Sequence, residues 1–401
     1  MPYRLEYGGK RSTDEILAEH PSELITIGAV EGSPTNRLIY GDNLPVLASL
    51  LRDERVAGHV RLVYIDPPFA TQSRFESRQQ AHAYDDHLTG AEYLEFLRAR
   101  LILLRELIAD DGSLYLHLDS KMAFEGKILL DEVFGPKNFR NLITRKKSNP
   151  KNYTRKQFGN VTDFILFYSK SSHYVWNQVF EPRDEVSAAR EYRFKDQATG
   201  RRYMKVPVHA PGVRNGVTGG EWNGMLPPRG KHWQLTPERL TELDRRGDIY
   251  WSPSGNPRRK LYMDDAGAPA QDLWLDFKDA HNQMIEVTGY PTEKNLKLLE
   301  RIVAASSDVG DIVLDAFSGS GTTAIAAESL GRQWIAIDNS PLAIETTVGR
   351  LTSGSERMGD FVSERSGHGP NRLPTSAPLL RGGLEVQADA KLQDVQPVPV
   401  R

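Results

Sequence analysis

The chain has no cysteine among its 401 residues. Disulfides, a thiolate nucleophile and a cysteine-ligated zinc site are therefore excluded. No apolar run reaches the roughly 18 residues that a membrane-spanning helix needs. Met1-Pro2-Tyr3-Arg4 leads into mixed polar sequence without a signal-peptide apolar core, so a soluble cytoplasmic protein with no membrane contact is expected. A large charge of either sign is also missing: 51 Lys and Arg oppose 53 Asp and Glu, for a net charge of −2. That excludes a wholly basic nucleic-acid binder but leaves room for a locally basic groove. Internal repeats are absent. The ten histidines are scattered without metal-ligand spacing, and no metal is expected.

Hydrophobic residues make up 39% of the chain. At this length they can fill one large α/β core and a second, smaller domain. Residues 1–35 are polar and carry little pattern. Arg61-Leu62-Val63-Tyr64-Ile65 predicts a buried parallel strand that ends at Asp66. Leu94, Leu97, Leu101, Leu104 and Ile108 lie at helical spacing over 91–109. Strands are predicted at 113–118 and 164–168, a helix at 122–134, and an antiparallel neighbour at 139–144. Between about 179 and 282 the texture changes to short elements rich in Gly, Pro and Arg, with Trp222, Trp233, Trp251 and Trp274. This predicts an inserted, irregular module. Strand–helix alternation returns with an apolar helix stripe at Leu296, Leu299, Ile302 and Val303, strands at 311–315 and 333–338, and a helix at 322–330. After about Thr352 the chain is punctuated by Gly, Ser and Pro, which predicts a disordered tail over 352–401.

Two segments carry chemistry. Phe317-Ser318-Gly319-Ser320-Gly321-Thr322 joins the strand ending at Asp315 to a helix. Its glycines let backbone approach a ligand, and the helix N-terminus favours a negative group. Asp338, 21 residues past Phe317, ends the next strand, where an acid can accept hydrogen bonds from ribose hydroxyls. Alone, this is also compatible with a plain tight turn. Ala324 stands at the third glycine position of the dinucleotide fingerprint, and no Lys follows the second Gly as in a P-loop. The second segment is Asp66-Pro67-Pro68-Phe69. Two prolines fix the turn and remove two N–H donors. The Asp66 carboxylate and Pro67 carbonyl can then serve as fixed acceptors, and Phe69 as a stacking surface, for a planar base bearing an NH2 group. An ordinary strand-ending turn with Phe in the core would look the same in isolation.

Together, in this order, the segments resemble the permuted DNA amino-methyltransferases, the N6-adenine/N4-cytosine family of restriction-modification systems. Asp66-Pro67-Pro68-Phe69 resembles that family's Asp-Pro-Pro-Tyr/Phe motif, and Phe317-Ser318-Gly319-Ser320-Gly321 its F-x-G-x-G motif. Tyr290-Pro291-Thr292-Glu293-Lys294 resembles the segment just before it, and Gly41-Asp42-Asn43 the short motif before the catalytic strand. Glu293, Asn295 and Phe69 depart from the usual Gln, Pro and Tyr. The match covers roughly 36–180 and 285–350.

The resemblance implies a Rossmann-like α/β mixed sheet of the S-adenosylmethionine-dependent methyltransferase type, circularly permuted. The implied division is 36–180 as catalytic half, 181–285 as target-recognition insert and 286–351 as cofactor half. It implies S-adenosylmethionine along Phe317 to Thr322 with Asp315 and Asp338, Asp42 toward its adenine, and Thr292 and Lys294 toward its methionine. It also implies double-stranded DNA as substrate, with base flipping, and opens a restriction endonuclease and a second copy of the chain as partners. Asp at the first catalytic position favours adenine N6; cytosine N4 is the near alternative. A nicotinamide-dependent dehydrogenase would share the glycine turn and leave Asp66 to Phe69 unexplained. A non-catalytic DNA-binding subunit would not need Asp66 and Phe69. The run 145–156 holds six basic residues and no acid. It reads as a loop in which Arg145, Lys146, Lys147, Lys151, Tyr153, Arg155 and Lys156 reach DNA phosphates. His117, in an apolar strand, is expected in the core or behind the site.

Overall fold

The computed structural model describes residues 4–33, 35–68, 74–76, 82–85, 90–149, 156–181, 183, 185–263, 267–278, 294–353, 379–392 and 398, with backbone alone at 74–76 and 82–85. It divides into two units, Met1–Gln178 with Gln271–Arg401, and Val179–Ala270.

The larger unit is built on a ten-stranded sheet. In chain order its strands are β1 (Leu24–Val30), β2 (Thr35–Tyr40), β3 (Val60–Ile65), β4 (Ile108–Leu118), β5 (Phe139–Lys146), β6 (Thr162–Ser169), β7 (Leu273–Trp274), β8 (Ile312–Asp315), β9 (Gln333–Asp338) and β10 (Gly383–Asp389). Across the sheet they run β1-β10-β2-β9-β8-β3-β4-β6-β5-β7. From β10 through β4 all neighbours are parallel. The pairs β1·β10, β4·β6 and β5·β6 are antiparallel. The late strands β8 and β9 thus sit at the sheet's centre between the early strands β2 and β3.

The central strands β3, β8 and β9 are apolar apart from residues near their ends, because both faces are covered. Along β3, Val63 and Ile65 enter one core and Leu62 and Tyr64 the other, as a period of two requires. The first core is closed by α1 (Asn43–Leu50), α2 (Ala91–Leu107) and α3 (Ala123–Phe134), through residues such as Leu47, Leu101, Leu104 and Leu130. The second is closed by α4 (Leu296–Ser306), α5 (Thr322–Ser329) and α6 (Pro341–Ser353), with Leu299, Ile302, Ile325 and Val348. The result is a helix–sheet–helix sandwich. No helix among the described residues is long and apolar enough to cross a membrane.

Three expectations need correction. The segment 1–35 is not merely polar: Thr13–Leu17 is helical and β1 pairs with β10. The stretch 352–401 is not a uniform disordered tail, because Gly383–Asp389 lies inside the sheet between β1 and β2. Helix α2 stops at Leu107, and Ile108 turns extended (φ −69°, ψ 136°) to open β4.

The smaller unit, Val179–Ala270, ends earlier than the expected insert at 181–285, since β7 belongs to the large sheet. It holds a four-stranded antiparallel sheet ordered 194–195, 202–207, 257–262, 249–251. Its own core is Val208, Trp222, Trp233, Leu240 and Ile249. The buried indoles are satisfied: Trp222 donates to Thr241 Oγ1 at 3.1 Å and Trp233 to the Gly220 carbonyl at 2.9 Å, as buried tryptophans require.

Candidate active site

Because β2, β9, β8 and β3 are parallel, their carboxyl ends share one edge. Four acidic side chains collect there: Asp42 just past β2, Asp338 ending β9, Asp315 ending β8 and Asp66 just past β3. The carboxyl edge of an open α/β sheet is where ligands bind.

The glycine turn is fastened to this edge from three sides. Asp315 Oδ1 accepts from the Phe317 N–H at 2.9 Å, and its Oδ2 from the Thr323 hydroxyl at 2.5 Å. Asp338 accepts from the Gly319 N–H at 2.8 Å and the Ser340 N–H at 2.9 Å. Arg350 of α6 donates to the Ser320 carbonyl at 2.7 Å and to Thr322 Oγ1 at 3.1 Å. Gly319 and Gly321 have φ of 52° and 76°, the left-handed region that favours glycine. Burial, above all, pushes Asp315 up to about 7 despite its Thr323 and Phe317 hydrogen bonds. It likewise pushes Asp338 up to about 6 against its backbone hydrogen bonds.

Asp42 and Asn43 join the turn to α2. Asn43 donates to the Ala316 carbonyl at 2.6 Å. Arg100 donates to Asn43 Oδ1 and, at 2.9 Å, to Asp42 Oδ1. Its guanidinium lies 3.6 Å from the Phe96 ring centroid, and Phe96 packs 5.9 Å from Phe317. Burial lowers the Arg100 pKa to about 10, against the raising effect of Asp42. Ser318 Oγ and Ser340 Oγ, beside the residues that Asp338 grips, are buried with no hydrogen-bond partner among the described residues. Orphaned hydroxyls are uncommon in native interiors, and here they suit a polar ligand lying against the turn.

Asp66 is the next acid along the edge. Lys294 Nζ lies 2.5 Å from its Oδ2. Its Oδ1 is buried and has no hydrogen-bond partner among the described residues. Pro67 is buried and Pro68 half-buried. Phe69 and Thr292 lie outside the described residues. Among the described residues, no cluster of His, Asp or Glu is placed to hold a metal.

The basic run is strand and not loop at its start. Arg145 and Lys146 belong to β5. Period-two alternation turns Ile143 and Arg145 inward together, and Arg145 is fully buried. Its Nε donates to the Phe277 carbonyl at 2.6 Å and its guanidinium lies 3.8 Å from Asp163. Lys147 pairs with Asp163 at 2.7 Å. These contacts take Arg145 away from any phosphate and commit Lys147 to Asp163. Lys146 is half-buried and Lys156 exposed. Lys151, Tyr153 and Arg155 lie outside the described residues.

The N6/N4 methyltransferase family, described as DNA methylase, matches residues 60–348. The chain belongs to this DNA methylase family. It is 49% identical over 365 residues to the type II methyltransferase M.EcaI of Enterobacter cloacae, covering 90% of this chain and 80% of that one. It is 26% identical over 372 residues to the type III StyLTI Mod subunit of Salmonella typhimurium, covering 82% of this chain and 55% of that one. Among solved structures, the M1.HpyAVI–SAM complex aligns with 79% of this chain and 98% of its own, at TM-score 0.43 and 18% identity.

Several side chains of this methylase's edge escaped the motif reading. Arg100 interrupts an apolar helix face between Leu97 and Leu101, and that cation among apolar neighbours was the available signal. Asp163 interrupts an otherwise apolar strand in the same way.

Proposed function

We propose that this DNA methylase transfers the methyl group of S-adenosylmethionine to the N6 amine of an adenine flipped out of duplex DNA. The observation that carries the reading is the state of Asp66. One carboxylate oxygen is held by Lys294, while the other is buried, without a hydrogen-bond partner among the described residues, and at the same edge as the glycine turn. An exocyclic amine is a poor nucleophile because its lone pair is delocalised into the ring. An acceptor that favours a tetrahedral nitrogen over the planar one acts on the transition state.

In this reading Asp66 Oδ1 and the Pro67 carbonyl accept the two amino hydrogens, and Phe69 stacks on the base. S-adenosylmethionine supplies an electrophilic methyl on a sulfonium. Phe317 to Thr322, Asp315 and Asp338 would hold it, with Asp42 toward the adenine end and Lys294 and Thr292 toward the other. Each Asp338 oxygen accepts one backbone N–H and keeps a further lone pair for a ribose hydroxyl. The order in which β3 precedes β8 while lying beside it supports a circularly permuted domain. The small unit reads the target sequence, with Lys146 and Lys156 on phosphates. The Salmonella relative is a Mod subunit of a restriction-modification enzyme. A restriction endonuclease of matching specificity is the corresponding partner here, and a homodimer the assembly to look for.

The test is nucleoside mass spectrometry of duplex DNA after reaction with S-adenosylmethionine. N6-methyladenine is expected. N4-methylcytosine in its place transfers the same chemistry to cytosine and overturns the base assignment. Asp66→Ala is expected to slow methylation by about a hundred- to a thousandfold, the scale for losing one preorganised electrostatic contact. Binding of S-adenosylhomocysteine should persist.

A further inference from the structure

Behind Asp66 lies a chain of polar side chains that the reaction scheme above does not use. Tyr64, two residues before Asp66 on β3, has its hydroxyl 2.8 Å from His117 Nδ1. His117, on β4, is completely buried. Its Nδ1 is 4.0 Å from Asp66 Oδ1, and its Nε2 is 3.6 Å from Asp163 Oδ2 on β6. The ring is thus held by Tyr64 and lies between two carboxylates, one of them the proposed amine acceptor.

Both carboxylates already have cations. Lys294 holds Asp66, while Lys147 and Arg145 face Asp163 from β5. A third cation between them is not needed for charge balance. Burial, first of all, lowers the His117 pKa, with Lys294 and Arg145 adding to the effect and Asp163 and Asp66 opposing it. Burial also raises Tyr64 well above its ordinary value, so its hydroxyl stays a donor. The carboxylate on the Nε2 side favours the Nε2–H tautomer, which leaves Nδ1 to accept from Tyr64. Neutral His117 then has no proton to offer Asp66 Oδ1.

We propose that His117, held by Tyr64 and facing Asp163, is a positioning residue for Asp66: as the neutral imidazole it leaves the charge on Oδ1 free for the substrate amine, and as the imidazolium it opposes that charge. Protonation turns the Nδ1 hydrogen toward the Tyr64 oxygen at 2.8 Å and puts a positive charge 4.0 Å from Asp66 Oδ1, a buried oxygen with no hydrogen-bond partner among the described residues. The second cation beside the carboxylate, after Lys294, makes it a poorer acceptor for the amine. This rests on the reading of Asp66 as the amine acceptor.

The experiment measures single-turnover methylation of duplex DNA across pH, with S-adenosylmethionine saturating so that titration of Asp315 and Asp338 does not enter through cofactor affinity. Because burial lowers the His117 pKa, the wild-type rate is expected to hold at about 6.5, the ordinary histidine value, and to fall only at more acidic pH. His117→Asn keeps an acceptor for Tyr64 but cannot become a cation. It should retain the neutral-pH rate within a few-fold and lose that acid fall. His117→Leu should slow the reaction about ten- to a hundredfold at every pH, the scale of small misplacements, with KM for DNA and cofactor unchanged. Thermal stabilisation by S-adenosylhomocysteine checks that each variant is folded. If His117→Leu does not fold, the His117→Asn profile decides alone. An unaltered acid fall in His117→Asn, or a wild-type rate in folded His117→Leu, overturns the proposal. Asp66→Asn run alongside separates the two readings: if it methylates normally, the role of Asp66 is wrong, whereas an inactive Asp66→Asn with unaffected His117 variants removes only the role of His117.

Discussion

At the scale of single residues, the buried acids set an unusual dependence of stability on pH. The Asp315 carboxyl stands at about 7 in the folded protein against an ordinary 3.8. The folded chain therefore binds this proton more tightly than the unfolded chain. The group's contribution to stability is full at low pH and is lost as pH rises from about 4 through about 7. Asp315→Asn removes that loss. Relative to wild type, the variant should gain stability between pH 5 and pH 8, on the order of a few kcal/mol, in calorimetric melts without cofactor. A difference that is the same at both pH values would contradict the burial of a titrating carboxyl. Asp163 works with the opposite sign. Its pKa is held well below the carboxylate range by His117 and Lys147 against the cost of burial, so its contribution is present above about 4 and is lost in acid.

At the scale of elements, the turn between β8 and α5 depends on one glycine. A Cβ on Gly321 would meet Thr347 Oγ1 at 2.5 Å and Cγ2 at 2.6 Å, at a φ of +76°. Gly321→Ala is expected to destabilise the protein by about 1–3 kcal/mol. It should weaken S-adenosylhomocysteine binding at least tenfold by calorimetry; unchanged affinity would show that the turn is not where the cofactor sits. Elements like this were legible in sequence because their signals are local. The run Gln333–Asp338 is a strand with the bounds its apolar residues suggest, and β5 is the antiparallel neighbour of β6 as expected. Non-local elements were not. Arg145 looked like part of a solvated basic loop because its partner Asp163 lies 18 residues on, across a strand pair. Strand β10 does alternate, with Leu384, Val386 and Ala388 inward, but its reason to be ordered is pairing with residues at the other end of the chain. His117 was legible only as a polar break in an apolar strand; its neighbours come from β3 and β6.

At the scale of the whole molecule, two hydrophobic systems are separable. The core of Val179–Ala270 is its own, centred on Trp222 and Trp233. Trp233→Ala should cost about 3–5 kcal/mol of that core's stability. It should lower affinity for duplex DNA while leaving the thermal shift with S-adenosylhomocysteine in place. Loss of both together, in a fluorescence titration and a melt, would mean that the two units do not behave as independent cores.

The strand order also imposes a timetable on biosynthesis. Residues 179–270 are contiguous, so their unit can fold as soon as it has left the ribosome. The large sheet cannot. Its middle strands, β8 and β9, are made some 250 residues after β3, which waits beside an empty place until they arrive. The gap between β1 and β2 is filled later still, by residues 383–389. During translation the face of β3 that α4, α5 and α6 later cover, and the edges that β8 and β9 later pair, therefore stay open for most of the chain's synthesis, which makes the nascent protein a natural client for chaperones.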